Sequence, residues 1–416
     1  MNLELGRSRA VSEWRAELIE NVQFIYELAL AELELEAFDV EFKVKNNLRE
    51  FTLKKPSNID LLLRRLAYFK TVGNKVTDYY RLTRYTQRKS VNQYLTHWIY
   101  PYKGKFHPQM IRALLNILKV EKDENVLDPF IGSGTTAVEA QLMGINCIGR
   151  DVSPLCVLQS KVKTESIQAI DRIKTYNEEA TTAFEQSNGA LTSTVEEANN
   201  DNYREFLDSI DDEQIRNFYL MAKLVAISDS TRRRHNIVKA FEKNLALMVA
   251  SVEDYKKATQ ELGLQLGNVD INEGDARKLP LEDNSVQAIV TSPPYSIALD
   301  YVSNDAHALV AMGNDLDELR DRFVGVRGNG KTRIELYNKD MRRSFEEMHR
   351  VLEQERYCAI VIGNATYQQR KIETIQFTIK ECQKLGFTLV KNINKILYGL
   401  YNVMQTDNTL IFRKDN

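Results

Sequence analysis

A chain of 416 residues exceeds the size at which one hydrophobic core usually stops growing, so one enlarged domain or two domains are expected. With 43% hydrophobic and 27% charged residues it reads as a globular chain with no apolar run long enough to span a bilayer, and its start, Met1 to Trp14, lacks a signal-peptide core. A net charge of −2 lends no support to nucleic-acid binding, while four scattered cysteines and five histidines without HxxxH spacing argue against a disulfide framework or a structural zinc site and for a reducing cytoplasm.

Residues 12–33 read as a helix, acidic on its exposed side. Residues 38–44 alternate apolar and polar, Asn46-Asn47 favours a turn, and 48–53 follow, so a β-hairpin is predicted. Helical spacing over 58–72, with Ser57 as cap, completes an α+β or mostly helical module spanning 1–90. Within it, residues 64–89 set eight Lys and Arg against Asp78 alone, with Tyr68, Phe69, Tyr79, Tyr80 and Tyr85 interleaved. Two readings stand for that stretch. Either it contacts phosphates and stacks on bases, or it is a solvated helix face with its aromatics turned into the core.

From about Glu124 the pattern becomes strand and helix in alternation. Strands are predicted at 125–130, 146–151, 269–275, 286–292, 357–363, 387–397 and 409–413, with helices at 135–143, 339–352 and 372–385. The expected fold is a doubly wound, seven-stranded, mostly parallel Rossmann-like sheet, with the last two strands forming an antiparallel hairpin at its edge. A helix-rich insertion occupies 154–268, with a polar, loop-like stretch at 187–202 and a basic cluster at Arg232-Arg233-Arg234-His235 and Lys239. The catalytic domain is then 91–153 plus 269–416, and the insertion is a candidate target-recognition subdomain.

Two motifs carry chemistry. In Asp128-Pro129-Phe130-Ile131-Gly132-Ser133-Gly134-Thr135-Thr136 an apolar strand runs into an acid, a glycine loop and a helix start. Such a loop lets backbone approach a ligand and offers unpaired N–H groups. The third glycine of a dinucleotide loop and the Lys-Ser/Thr of a P-loop are missing, and Asp128 would sit badly beside a pyrophosphate. A cationic ligand fits better. Asp151 ends the second strand, placed to take two ribose hydroxyls, and Asp275 ends the third, placed to accept from an adenine amino group. The second motif, Thr291-Ser292-Pro293-Pro294-Tyr295, follows an apolar strand directly.

The first motif resembles the cofactor motif of the amino-methylating DNA methyltransferases, the N6-adenine and N4-cytosine enzymes. That resemblance implies S-adenosylmethionine, with the loop residues Asp128, Phe130, Gly132, Ser133, Gly134 and Thr135 near its methionine moiety. Tyr102-Lys103-Gly104-Lys105-Phe106-His107-Pro108 is similar to the segment that packs against that end, so Lys105 and Phe106 join the cofactor set. Ser292-Pro293-Pro294-Tyr295 is similar to the catalytic motif of N4-cytosine enzymes. An exocyclic amine is a poor nucleophile, because its lone pair is delocalised into the ring. Acceptors at Ser292 Oγ and the Pro293 carbonyl can hold its N–H bonds and bare that lone pair, two prolines stiffen the loop, and Tyr295 offers a stacking face for an extruded base. No cysteine follows a proline, which disfavours C5-cytosine chemistry.

The resemblance covers little more than half of the chain, and three regions compete for target recognition: the N-terminal module, the insertion, and the loop 296–339 with Arg320, Arg322, Arg327 and Arg333. The last two are favoured. The expected partner is double-stranded DNA with its target base flipped out, in the cytoplasm at the nucleoid, with RNA second and no membrane. The rivals are an N6-adenine enzyme, a tRNA guanine-N2 methyltransferase, whose catalytic motif usually starts with Asp, and a binding subunit of the same fold, against which the intact motifs argue.

Overall fold

The computed structural model describes residues 13–45, 47–54, 56–87, 90, 92–188, 201–295, 299–367, 370–398 and 404–415. Ser12, Asn46, Arg88, Lys89, most of the loop expected at 187–202, and the start of the loop expected at 296–339 lie outside the described residues.

The described residues begin not with a helix but with strand β1 (Glu13–Leu18), followed by α1 (Ile25–Ala37). Period two explains the difference: Ala16 and Leu18 are buried while Arg15 and Glu17 face out. The predicted hairpin is present as β2 (Glu41–Lys45) and β3 (Glu50–Lys54), paired antiparallel. The helix expected over 58–72 is shorter. Asn58, not Ser57, caps α2 (Ile59–Arg65) by accepting from the Leu61 N–H, and the chain then extends into β4 (Phe69–Val72) and β5 (Lys75–Val76) before α3 (Asp78–Leu82). These strands form an antiparallel sheet in the order β2-β3-β1-β4-β5. Of the five aromatics in the basic stretch, Tyr68, Phe69 and Tyr79 are buried in the core, and Arg65 is buried against Asn116 and the Val120 carbonyl. The core reading therefore holds for that part of the stretch.

Next come α4 (Pro108–Ile117), β6 (Asn125–Asp128), α5 (Thr135–Leu142) and β7 (Asn146–Asp151). The helical run follows: α6 (Pro154–Ile173), α7 (Asn177–Asn188), α8 (Asp201–Asp208), α9 (Glu213–Arg233) and α10 (Ile237–Leu262). The chain returns through β8 (Val269–Glu273) and β9 (Val286–Thr291) to three short helices, α11 (Tyr301–Asn304), α12 (Ala306–Ala311) and α13 (Leu316–Arg322). It ends with α14 (Gly330–Val351), β10 (Leu352–Gly363), the small hairpin β11 (Ala365–Tyr367) and β12 (Arg370–Ile372), α15 (Thr374–Lys384), β13 (Phe387–Tyr398) and β14 (Met404–Lys414).

The main sheet has seven strands in the order β13-β14-β10-β9-β6-β7-β8, parallel from β10 to β8, with the antiparallel hairpin β13-β14 on one side. This is the Rossmann-like, doubly wound arrangement expected. The order of strand addition reverses between β6 and β9, the place where open α/β sheets leave a crevice beyond the strand ends. The N-terminal sheet is joined to this body by polar bonds. Glu34 on α1 accepts from the Ala67 and Tyr68 N–H groups and from Asn116 on α4, and Arg112 on α4 donates to the Arg64 and Arg65 carbonyls. Among the described residues no helix is long and apolar enough to cross a membrane.

Candidate active site

The crevice beyond β6 and β9 opens into a cavity of about 730 Å³. Phe130, Gly132 and Ser133 of the glycine loop line it, with Asp151 at the end of β7, Asp275 beyond β8, and Lys105 and Phe106 from the segment before α4. Ser292, Pro294 and Tyr295, following β9, form the opposite wall. The topology thus brings residues far apart in sequence to one place.

Asp151 is held by the loop it faces, accepting from the Gly132 N–H at 3.0 Å and the Ser153 N–H at 2.9 Å. Burial pushes its carboxyl up to about 6, against the pull of those N–H groups. Each oxygen keeps a lone pair for a ligand hydroxyl. Gly132 has φ +50, and a Cβ there would stand 3.3 Å from the Tyr102 ring, closing the cavity between them. Tyr102 stacks on Tyr301, their ring centres 6.3 Å apart. Lys105 gives its ammonium to the Asn92 and His97 carbonyls, and burial lowers it to about 8.

Three residues expected on the cofactor stand behind the wall instead. Asp128 is 1% exposed and does not line the cavity. It accepts from Thr136 Oγ1 and Thr291 Oγ1, both at 2.7 Å, and from the Phe130 N–H, so it ties the two motif strands together. Gly134 begins α5 at φ +74, packed so closely on α6 that a Cβ would meet Ser160 Oγ at 2.6 Å. Thr135 is buried, its hydroxyl 3.1 Å from that of Ser133. Asp275 does reach the cavity, but both its oxygens are engaged by Arg277 at 2.7–3.0 Å. Burial works to raise its carboxyl, yet the arginine bonds win and hold it below the usual range.

In the second motif the Ser292 hydroxyl donates to the Val361 carbonyl of β10 at 3.0 Å. The Pro294 carbonyl accepts from Tyr337 Oη at 2.9 Å, which anchors the loop to α14. Pro293 itself does not line the cavity. The Tyr295 ring lies over Gly363, where a Cβ would stand 3.0 Å from its Cε2 and 2.6 Å from Asp407 Oδ1. Burial and then the nearby Asp407 carboxylate raise the Tyr295 phenol. Asp407 on β14 and Lys395 on β13 complete this end of the wall.

Val361, Gly363, Tyr337, Asp407 and Lys395 are absent from the sequence-predicted site. A glycine ending a buried strand, Gly363-Asn364, was the one available signal; the others arrive by topology. The loop arginines, expected on phosphate, are engaged within the chain. Arg320 pairs with Asp300, Arg322 with Glu273 and Arg327 with Asp340, while Arg333 donates to the Gly325 carbonyl. Among the described residues no group of His, Cys, Asp and Glu is placed to hold a metal.

A family model described as RMKL-like, methyltransferase domain matches residues 99–324, more than half of the chain, and one described as DNA methylase matches 33–161. The type II methyltransferase M.BsoBI of Geobacillus stearothermophilus is 25% identical over 390 residues, 80% of this chain and 72% of its own. The type II methyltransferase M.MvaI of Kocuria varians is 25% identical over 280 residues, 58% of this chain and 60% of its own. A tRNA (guanine(10)-N2)-dimethyltransferase of Methanothermobacter thermautotrophicus is 37% identical over 51 residues, 12% of this chain and 15% of its own.

Proposed function

Since the chain belongs to the RMKL-like methyltransferase family and is an S-adenosylmethionine-dependent DNA methyltransferase, we propose that the atom it methylates is the exocyclic N4 amine of cytosine in duplex DNA. One observation carries the choice of an amine, and the serine at position 292 the choice of cytosine: the only proton of the Ser292 hydroxyl is spent on the Val361 carbonyl. The oxygen facing the cavity is therefore an acceptor, the polarity an amine N–H requires.

Bound S-adenosylmethionine supplies an electrophilic methyl group on a sulfonium centre. The residues present fit it: a glycine-floored cavity, the Phe130 ring, and a carboxylate at Asp151 with lone pairs free for ribose hydroxyls. Asp128, Gly134 and Thr135 act one layer back by fixing the loop. Lys105 and Phe106 close the methionine end. Ser292 Oγ accepts from the amine and turns its lone pair outward, while Tyr295 stacks on the flipped base; the Pro293 carbonyl, which does not line the cavity, is not assigned to the amine. The stiffness of two consecutive prolines and the Tyr337 anchor keep the serine in place during transfer.

Guanine N2 in tRNA is the second reading, supported by the short match to the archaeal tRNA enzyme. Serine rather than aspartate at position 292 weighs against it. The helical run α6 to α10 and residues 299–339 are the proposed recognition elements. Incubation with tritiated S-adenosylmethionine and separate duplex DNA and tRNA tests the substrate class. Label in DNA is expected, and label confined to tRNA would replace this reading with the second.

A further inference from the structure

We propose that the turn joining α9 to α10, with the cavity beneath it, is where the phosphate backbone of duplex DNA docks. The proposal rests on the DNA reading above and names the surface that reading needs. From Thr231 to Lys243 the chain sets Arg232, Arg233, Arg234, Lys239 and Lys243 against Glu242 alone. Arg233, Arg234, Lys239 and Lys243 are exposed. Arg232 instead fastens the turn, donating to the Pro101 carbonyl at 2.9 Å and pairing with Asp305 at 3.5 Å.

That fastening fixes the turn beside the reaction cavity. A second cavity of about 390 Å³ lies there, and Tyr102, Lys103 and Lys105 line both. Arg232 and Arg233 complete its cationic rim. Ser228, fully buried on α9, lines it with a hydroxyl that has no partner. The acid on this wall, Asp229, is already engaged by Arg233, His235 and Asn244.

The backbone of Arg234 adds an independent argument. α9 ends on Arg234 at φ 57 and α10 ends on Gly263 at φ 60, the same left-handed cap. Glycine is the residue that adopts this conformation without strain, and the chain uses it at one cap and keeps an arginine at the other. The arginines of residues 316–333, by contrast, are engaged by internal partners.

Fluorescence anisotropy with a labelled duplex, repeated over a range of salt, tests the surface on the full chain. Arg234→Gly relieves the strained cap, so it should melt no lower than wild type and yet bind duplex more weakly, whatever the sequence. In Arg234→Gly/Lys239→Ala/Lys243→Ala the slope of log K against log salt should flatten by about one unit per charge removed. Lys54→Ala, on β3 of the N-terminal sheet where it pairs with Glu41, should leave that slope unchanged. Unaltered slope and affinity in the triple variant would overturn the docking surface alone. A wild type that neither binds nor methylates duplex DNA would overturn the underlying reading and this one with it, a failure visible before any substitution is made.

Discussion

Ser292 matters through an atom it has no proton left to offer from. Because its hydroxyl donates to Val361, Ser292→Ala removes an acceptor from the cavity and disturbs little else. The contact strengthens as the amine nitrogen becomes tetrahedral, so turnover should fall about a hundredfold or more while affinities for cofactor and DNA hold. Single-turnover methylation with saturating cofactor separates the two, and equal losses in rate and affinity would place Ser292 in ground-state binding instead. At Tyr295, alanine removes a stacking face worth about 1–3 kcal/mol, whereas phenylalanine keeps it. Fluorescence of 2-aminopurine beside the target base should drop in the first variant and persist in the second. Asp151 makes a pH prediction. Its carboxyl is pushed up to about 6, and a cationic cofactor favours the carboxylate, so cofactor affinity should fall as pH drops through 6. Asp151→Asn should flatten that profile and lower affinity at neutral pH by about tenfold or more, for loss of charged hydrogen bonds of about 1.5–3 kcal/mol. Calorimetry across pH reads both effects.

At the scale of elements, the site depends on how α5 leaves β6. Gly134 begins that helix with a left-handed backbone against Ser160, so Gly134→Ala combines strain with a steric clash. A lower melting temperature, with cofactor binding reduced as the loop shifts, is expected; unchanged melting would mean that α6 yields freely. A buried network backs the same helix: Glu139 of α5 is bonded by Tyr94, His97 and Arg112. Burial lowers His97 to about 4, so the fold keeps it neutral where the unfolded chain takes up a proton below about 6.5. Its contribution is therefore present above pH 6.5 and is lost as pH falls towards 4. Urea denaturation at pH 7.5 and pH 5 should show wild type losing more stability than His97→Gln on acidification.

Elements were legible in the sequence where periodicity was strong, as in the strand-helix alternation after Glu124 and the hairpin β2-β3. At residues 13–18, within the predicted helix, Glu13-Trp-Arg-Ala-Glu-Leu is a strand instead, because tertiary pairing with β3 and β4 prevails over local preference. A carboxylate at a strand end can line a cavity, as Asp151 does, or brace two strands, as Asp128 does, and sequence does not distinguish these.

For the molecule as a whole, three chain segments distant in sequence converge on one cavity: the glycine loop, the motif after β9, and the strand pair β10 and β14. The first two carry local signatures and could be read. Val361 and Asp407 carry none, since a carbonyl and a carboxylate gain their meaning only when the sheet sets them beside Ser292 and Tyr295. The loop arginines show the converse, a charge run that looked free until partners on other elements appeared. On the proposed reading the reaction takes place where the strand order reverses, and the DNA track runs along the α9–α10 turn. The central claim is the identity of the methylated atom. Mass spectrometry of nucleosides released from DNA after incubation with the enzyme and deuterium-labelled S-adenosylmethionine reads it directly: the account predicts labelled N4-methylcytosine, and labelled N6-methyladenine or 5-methylcytosine in its place would contradict it.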